Sequence, residues 1–191
     1  MLDHLDNKRV ILASSSPRRS FLLNEIGIKH IVRKIIFDES FPKTMPPLEV
    51  SLFVATKKSE QILDIDDNDI YIFADTVVVL ENEILEKPKN KIEALKMLSK
   101  LSNNTHQVVT GVTILSKQKR VSFKDVSKVH FKAINEKEIE HYIDLYKPFD
   151  KSGSYGIQEW IGMIGIDSIE GSYFNIMGLP THRVYEELLK F

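Results

Sequence analysis

The chain has 191 residues, of which 42% are hydrophobic and 28% charged, and its formal net charge is −1. That length suits one domain with a substantial core, in one or two lobes, and near-neutrality removes any global attraction to nucleic acid or to an acidic membrane. The absence of cysteine excludes disulfides, zinc–thiolate sites and a cysteine nucleophile; the polar N-terminal MLDHLDNKR lacks a signal-peptide h-region, and no apolar run approaches membrane-spanning length, so a soluble cytoplasmic protein is expected.

The first predicted unit is VILASSSPRRSFLL, Val10 to Leu23. A short apolar strand ends in three serines, and a helix follows with Phe21, Leu22, Leu23 and Ile26. Ser16 suits the N-cap and Pro17 the first helical position, and Gly27 is placed to end the helix. Ile31 to Phe37 is a β-branched run, the acidic pair Asp38-Glu39 follows, and Pro42, Pro46 and Pro47 mark a loop. Leu48 to Leu63 reads as a helix carrying Lys57 and Lys58, and Asp64 to Asp69 as an acidic turn.

Ile70 to Leu80 (IYIFADTVVVL) reads as a long strand broken only by Asp75 and Thr76, with a turn at Glu81 to Glu83 and a short strand after it. Lys89-Asn90 precedes a helix with Ile92, Leu95, Leu98 and Leu101 at helical spacing. Gln107 to Leu115 and Val121 to Ile134 read as strands. Asn135-x-x-Glu138 resembles a capping box and opens a helix through Tyr146. Lys151 to Gln158 is a Gly/Ser loop, strand-like segments are expected around Ile161 to Ile169, Gly171 to Pro180 is a second irregular loop, and Thr181 to Phe191 is a closing helix. The pattern is α/β with mixed strands in a single domain, 1–191.

Two places carry chemistry. At the SSSPRR turn, backbone N–H groups, hydroxyls and two guanidiniums converge on one helix N-terminus, which is an anion site that a phosphate fits. The plainer alternative is an ordinary N-cap with solvated arginines. Arg18 and Arg19 sit in the first turn, however, where the helix dipole disfavours cations, so something negative should compensate them. The second place is Asp75, a carboxylate within an apolar strand. It needs a metal, a cation or a hydrogen-bonded partner, and could bind a metal or act as a general base.

Asp38-Glu39, Lys58, Lys87 and Gln158 are weaker signals, and each has an ordinary solvated-residue reading. The six histidines show no metal-ligand spacing. Trp160 reads as a core or interface residue. Without GxxxxGK[ST] the chain is no P-loop NTPase, and without GxGxxG a dinucleotide site is not expected. Cations gathered with carboxylates suit metal-assisted phosphoryl or nucleotidyl chemistry.

LASSSPRR, the ADTVV of Ala74 to Val78, EKP at Glu86 to Pro88, HQVVTGV at His106 to Val112, GSYGIQ and GSYFNIMGLP together resemble the Maf family of nucleoside triphosphate pyrophosphatases, nearly end to end. The resemblance implies an elongated α/β fold related to inosine triphosphatase, with a central mixed sheet flanked by helices, two lobes with a cleft, and a homodimer. YGIQ and ADTVV are similar to the branch acting on dTTP and UTP. Glu159 departs from the glycine that often follows YGIQ there. The resemblance further implies that Ser14, Arg18 and Arg19 hold the triphosphate, with Lys58 and Lys87 adding charge. Glu39 and Asp75 would hold Mg²⁺ or Mn²⁺, with Asp75 activating water, and Arg18, Thr76 and Gln158 would tune base selection. Alternatives are a 7-methyl-GTP pyrophosphatase and a nucleotide-binding regulator of cell division without turnover. No nucleic-acid or membrane partner is expected.

Overall fold

The computed structural model describes residues 5–191. The fold is α/β, with helices flanking a mixed seven-stranded sheet of order β2-β1-β3-β5-β6-β7, β4 pairing with β3 off that path. The strands are β1 (Arg9–Leu12), β2 (Ile31–Val32), β3 (Asp69–Leu80), β4 (Glu83–Leu85), β5 (Thr105–Leu115), β6 (Arg120–Phe131) and β7 (Ile166–Glu170). The helices are α1 (Pro17–Glu25), α2 (Pro47–Glu60), α3 (Lys91–Leu101), α4 (Glu136–Tyr146), α5 (Trp160–Gly165), α6 (Tyr173–Met177) and α7 (Thr181–Leu188). The chain forms two compact units. The first holds the described residues up to Asp75, Thr110–Asp125 and Gly178–Phe191; the second holds Thr76–Val109 and Val126–Met177.

In the first unit, β1 pairs in parallel with β2 on one side and β3 on the other. α1 carries the chain from β1 to β2, and α2 returns it to β3. Strand order therefore reverses direction at β1, and the carboxyl end of such a strand is where open α/β sheets place ligands. β1 stops at Leu12, opposite Ile72 of β3. β3 runs on, so Asp75 emerges past the end of its neighbour. Beneath, Ile11, Ala13, Tyr71 and Phe73 form a buried cluster on which Ile35, Phe37, Ile62 and Ile65 pack. The run Ile31 to Phe37 pairs as a strand only at Ile31 and Val32, because β1 offers no backbone beyond Leu12. Its remainder is a loop whose Ile35 and Phe37 still face the core.

α1 opens as expected, with Pro17 first and Ser16 as N-cap, although the Ser16 side chain makes no capping hydrogen bond. Gly27 follows α1 at φ 75°, a conformation that favours glycine at a helix stop.

In the second unit, the capping box expected from sequence forms, and Asn90 is a further N-cap. Asn90 accepts from the Glu93 N–H at 3.0 Å, and Asn135 and Glu138 make the reciprocal capping box. Two expectations fail here. Ile161 to Ile169 is not all strand: Trp160–Gly165 is α5, and only Ile166–Glu170 pairs with β6, antiparallel. Gly171 to Pro180 is not all loop, since Tyr173–Met177 is α6. Buried Asn175 holds that turn, donating to the Val108 carbonyl at 3.0 Å and to Ser127 Oγ at 2.9 Å. Trp160 is half-buried and meets His141 edge-on, with ring centroids 5.1 Å apart.

Candidate active site

Five of the residues singled out in the sequence come together in the first unit. Lys58 belongs to α2, a helix whose apolar face is Val50, Val54 and Ala55. Its side chain is 6% exposed, and its Nζ lies 2.7 Å from Glu39 Oε1 and 3.0 Å from Asp75 Oδ1. The surface-lysine reading of Lys58 is therefore wrong. Helical spacing carried a signal for this, since Lys58 stands at helical spacing from Val50 and Val54 and so continues the apolar face. Asp75, set in a strand that is otherwise buried, has the cationic partner its position demanded.

Arg19 approaches Asp75 from the other direction in sequence. Its Nη1 donates to the Ala74 carbonyl at 2.9 Å and to Ser14 Oγ at 3.1 Å, and its Nε donates to the Gly178 carbonyl at 2.9 Å. The Ala74 carbonyl, next to Asp75, also accepts from Lys58 Nζ at 3.4 Å. Burial pulls the Arg19 guanidinium below its ordinary value; the charge of Asp75 opposes that, Arg18 adds to it, and Glu39 opposes it. The negative compensation expected for the first-turn arginines is thus supplied, for Arg19, by protein carbonyls and the Asp75 field. Arg19 is a strut that ties α1 to β3 and to the segment before α7. Ser14 is part of the same strut, since its Oγ also accepts from the Ser16 N–H at 3.2 Å. Arg18 is half-buried in the same first turn.

Glu39 lies in the loop between β2 and α2, its side chain 55% exposed. Sequence reasoning missed what aims it. Lys57, adjacent to Lys58 on α2, takes the residues on either side of Glu39: Asp38 Oδ2 at 2.6 Å, and the Ser40 carbonyl and Oγ at 2.8 Å each. Gln61, one turn on, accepts from the Asp38 N–H at 3.2 Å. Hydrogen bonds from Lys57 and Ser40 hold the Asp38 carboxyl well below the usual carboxylate range. Two lysines in sequence thus divide the loop, Lys57 gripping Asp38 and Ser40 and Lys58 the Glu39 carboxylate.

Glu39 and Asp75 converge on the Lys58 ammonium. Among the described residues no group of three or more His, Cys, Asp or Glu could hold a metal. Two carboxylates nevertheless fit a small hard cation such as Mg²⁺, which is commonly bound by one or two carboxylates with substrate phosphates and water completing its shell.

Thr76, Lys87 and Gln158 fall in the second unit. There the loop 151–158 gathers them. Ser152 Oγ donates to the Thr76 carbonyl at 3.2 Å, and the Gly153 N–H to the carbonyl of Glu86, next to Lys87, at 3.3 Å. Lys87 is exposed. The Gln158 side-chain carbonyl is buried and meets no donor among the described residues. Such an acceptor gains from turning toward any ligand that offers an N–H.

A family model described as "Maf-like protein" matches residues 9–191. A protein of Phocaeicola vulgatus named dTTP/UTP pyrophosphatase is 45% identical, over 100% of both chains. One of Christiangramia forsetii with the same name is 47% identical, over 96% of this chain and 94% of its own length. The solved structure of the Staphylococcus aureus Ham1 protein aligns with 65% of this chain and 72% of its own, at 18% identity and a TM-score of 0.45.

Proposed function

The chain belongs to the Maf family, and from that premise we propose that it hydrolyses dTTP and UTP to the monophosphate and pyrophosphate. The observation that carries this reading is the meeting of Lys58 with both Glu39 and Asp75 beside the N-terminus of α1. A purely binding protein has little reason to place two carboxylates where a polyanion's phosphates must lie.

In this reading water attacks the α-phosphorus and Asp75 accepts its proton. Arg18 and Lys58 neutralise charge that builds on the pyrophosphate leaving group, while Arg19 and Ser14 hold the N-terminus of α1 in place. Glu39 and Asp75 would hold Mg²⁺ or Mn²⁺, which when bound supplies Lewis-acid polarisation of the phosphates.

Base choice is assigned to the second unit. Uracil and thymine present an N3–H between two carbonyls, and the amide of Gln158 offers a carbonyl and an NH₂ that can pair with two adjacent positions of that edge. The orphaned Gln158 carbonyl supports this. Thr76, in the same unit, would shape the same choice. The reading extends to a cytoplasmic homodimer acting on free nucleotides without a nucleic-acid or membrane partner. Among the described residues no helix is long and apolar enough to cross a membrane.

The test is pyrophosphate release from dTTP, UTP, CTP, ATP, GTP and 7-methyl-GTP, with Mg²⁺, with Mn²⁺ and with chelator. The expected result is kcat/KM for dTTP and UTP above all others, and turnover lost with chelator. A preference for 7-methyl-GTP would move the chain to that branch. Binding without pyrophosphate release would make it a regulator.

A further inference from the structure

Glu159 is the residue that departs from the pattern resembled by the rest of the YGIQ loop, and the structure gives it a definite place. Its Oε1 lies 3.1 Å from Lys151 Nζ, and its Oε2 accepts from the Tyr142 hydroxyl. The same Tyr142 hydroxyl accepts from the Gly156 N–H at 3.0 Å. The Glu159 N–H in turn donates to the Gly156 carbonyl at 3.0 Å. Gly156, Ile157, Gln158 and Glu159 thus form a four-residue turn, with Gln158 at its third position. Both ends of that turn are fixed on one tyrosine, and its last residue is tied back to the loop's first, Lys151.

This knot is inside the protein. Tyr142 is 0% exposed, and the Lys151 and Glu159 side chains are 10% and 17% exposed. A well-packed, nearly dry ion pair fixes geometry far better than a solvated one. There is no slack either: a Cβ on Gly156 would lie 2.7 Å from Glu159 Cδ, so the carboxylate fills the space a side chain would need.

Resting on the assignment of Gln158 to the base, we propose that Glu159 is a positioning residue for base selection: through Tyr142 and Lys151 it sets the turn that presents the Gln158 amide. Glu159 does not itself touch the nucleotide. With its carboxylate removed, the turn keeps its backbone hydrogen bond and the Gly156 tie to Tyr142, but its last residue is released from Tyr142 and Lys151 and the amide samples more orientations. Discrimination between an N3–H and a bare N3 then weakens, whereas the triphosphate contacts of the other unit are not involved.

Two variants test this, each assayed for kcat/KM on UTP and CTP and for thermal stability. Glu159→Gly removes the carboxylate, and Glu159→Gln keeps an acceptor for Tyr142 while removing the charge that faces Lys151. The UTP-to-CTP ratio is expected to fall about fivefold or more in Glu159→Gly and less in Glu159→Gln, chiefly through a raised KM for UTP. Gln158→Glu is measured in parallel. An altered ratio in that variant with unchanged ratios in both Glu159 variants, even at lowered Tm, would make Glu159 merely structural and overturn the proposal alone. An unchanged ratio in Gln158→Glu would overturn the reading of Gln158, and the proposal with it. Should Glu159→Gly fail to fold, the ratio in Glu159→Gln decides.

Discussion

The two units hold their candidate functional residues by different physics. In the first, charged side chains are held by one another and by backbone carbonyls: Lys58 between Glu39 and Asp75, and Arg19 on Ala74, Ser14 and Gly178. In the second, the loop that carries Gln158 is held by buried aromatic and ionic contacts: Tyr142 and Lys151 on Glu159, and Tyr155 on His106. In the proposed reading the first unit must present positive charge to phosphates, and here that charge is held ready by carboxylates and backbone carbonyls. A base-reading loop needs shape, and burial supplies shape. The two units should therefore fail differently when altered, the first in chemistry and the second in selectivity and acid stability.

The largest expected effect lies at Asp75. Asp75→Asn keeps the volume and an acceptor but removes the negative charge, so the variant loses both its proton acceptor and half of the carboxylate pair. Turnover should fall by about 10³ or more, with the far-UV spectrum and Tm little changed. A folded variant within tenfold of the parent would show that Asp75 only neutralises Lys58.

Arg19 comes next, and it sharpens the comparison because its contacts are structural as well as electrostatic. Arg19→Ala removes three hydrogen bonds that join α1, β3 and the segment before α7. Activity should drop at least tenfold, equivalent to ~1.4 kcal/mol, and Tm should fall with it. Arg19→Lys should recover only part, because an ammonium cannot reproduce the planar fork that reaches Ser14, Ala74 and Gly178 at once. Full activity in Arg19→Ala would remove this arginine from the site.

These differences also explain what was legible in the sequence. The turn at Ser14 to Arg19 and the carboxylate at Asp75 stood out because each breaks a local rule: cations in a helix's first turn, and a charge inside an apolar strand. Elements with their own caps, such as α3 and α4, were legible for the same local reason. The pairing of Lys58 with Glu39 and Asp75 and the Lys57 grip on the Glu39 loop were not, since helical spacing places a lysine on a face but names no partner in a distant loop or strand. The short helices α5 and α6 were missed for different reasons: the apolar residues of α5 suit a strand equally well, and α6 is a short segment inside a run bounded by glycines and a proline that reads as loop. They are helical through tertiary ties, such as Asn175 on Val108 and Ser127, that no local pattern carries. Arg19 stood out by its charge, whereas the carbonyls it binds lie far away in sequence and carry no local signal.

The smallest expected effect concerns acid stability of the second unit and turns on His106. This histidine is 1% exposed, stacks on Phe131 at 5.5 Å and shares a 2.7 Å hydrogen bond with the Tyr155 hydroxyl through Nε2. Its Nδ1 is buried and meets no partner among the described residues. Protonation would create two buried N–H donors with one neighbour between them, and burial accordingly pushes the ring down to about 3. The unfolded chain takes up that proton near pH 6.5. Between these values the unfolded state binds more protons than the folded one, so the neutral ring's stabilisation is complete above pH 6.5 and is lost as pH falls toward 3. From pH 7.5 to 5.5 the loss should be on the order of 1 kcal/mol, or about tenfold in the unfolding equilibrium. His106→Phe keeps the stack on Phe131 but cannot titrate. It should be less stable than the parent at neutral pH, because the buried Tyr155 hydroxyl loses its partner, yet the gap should narrow on acidification. Urea unfolding of both proteins at pH 7.5 and 5.5 measures this. A gap that stays constant or widens would mean that His106 contributes packing only, and that acid sensitivity resides elsewhere.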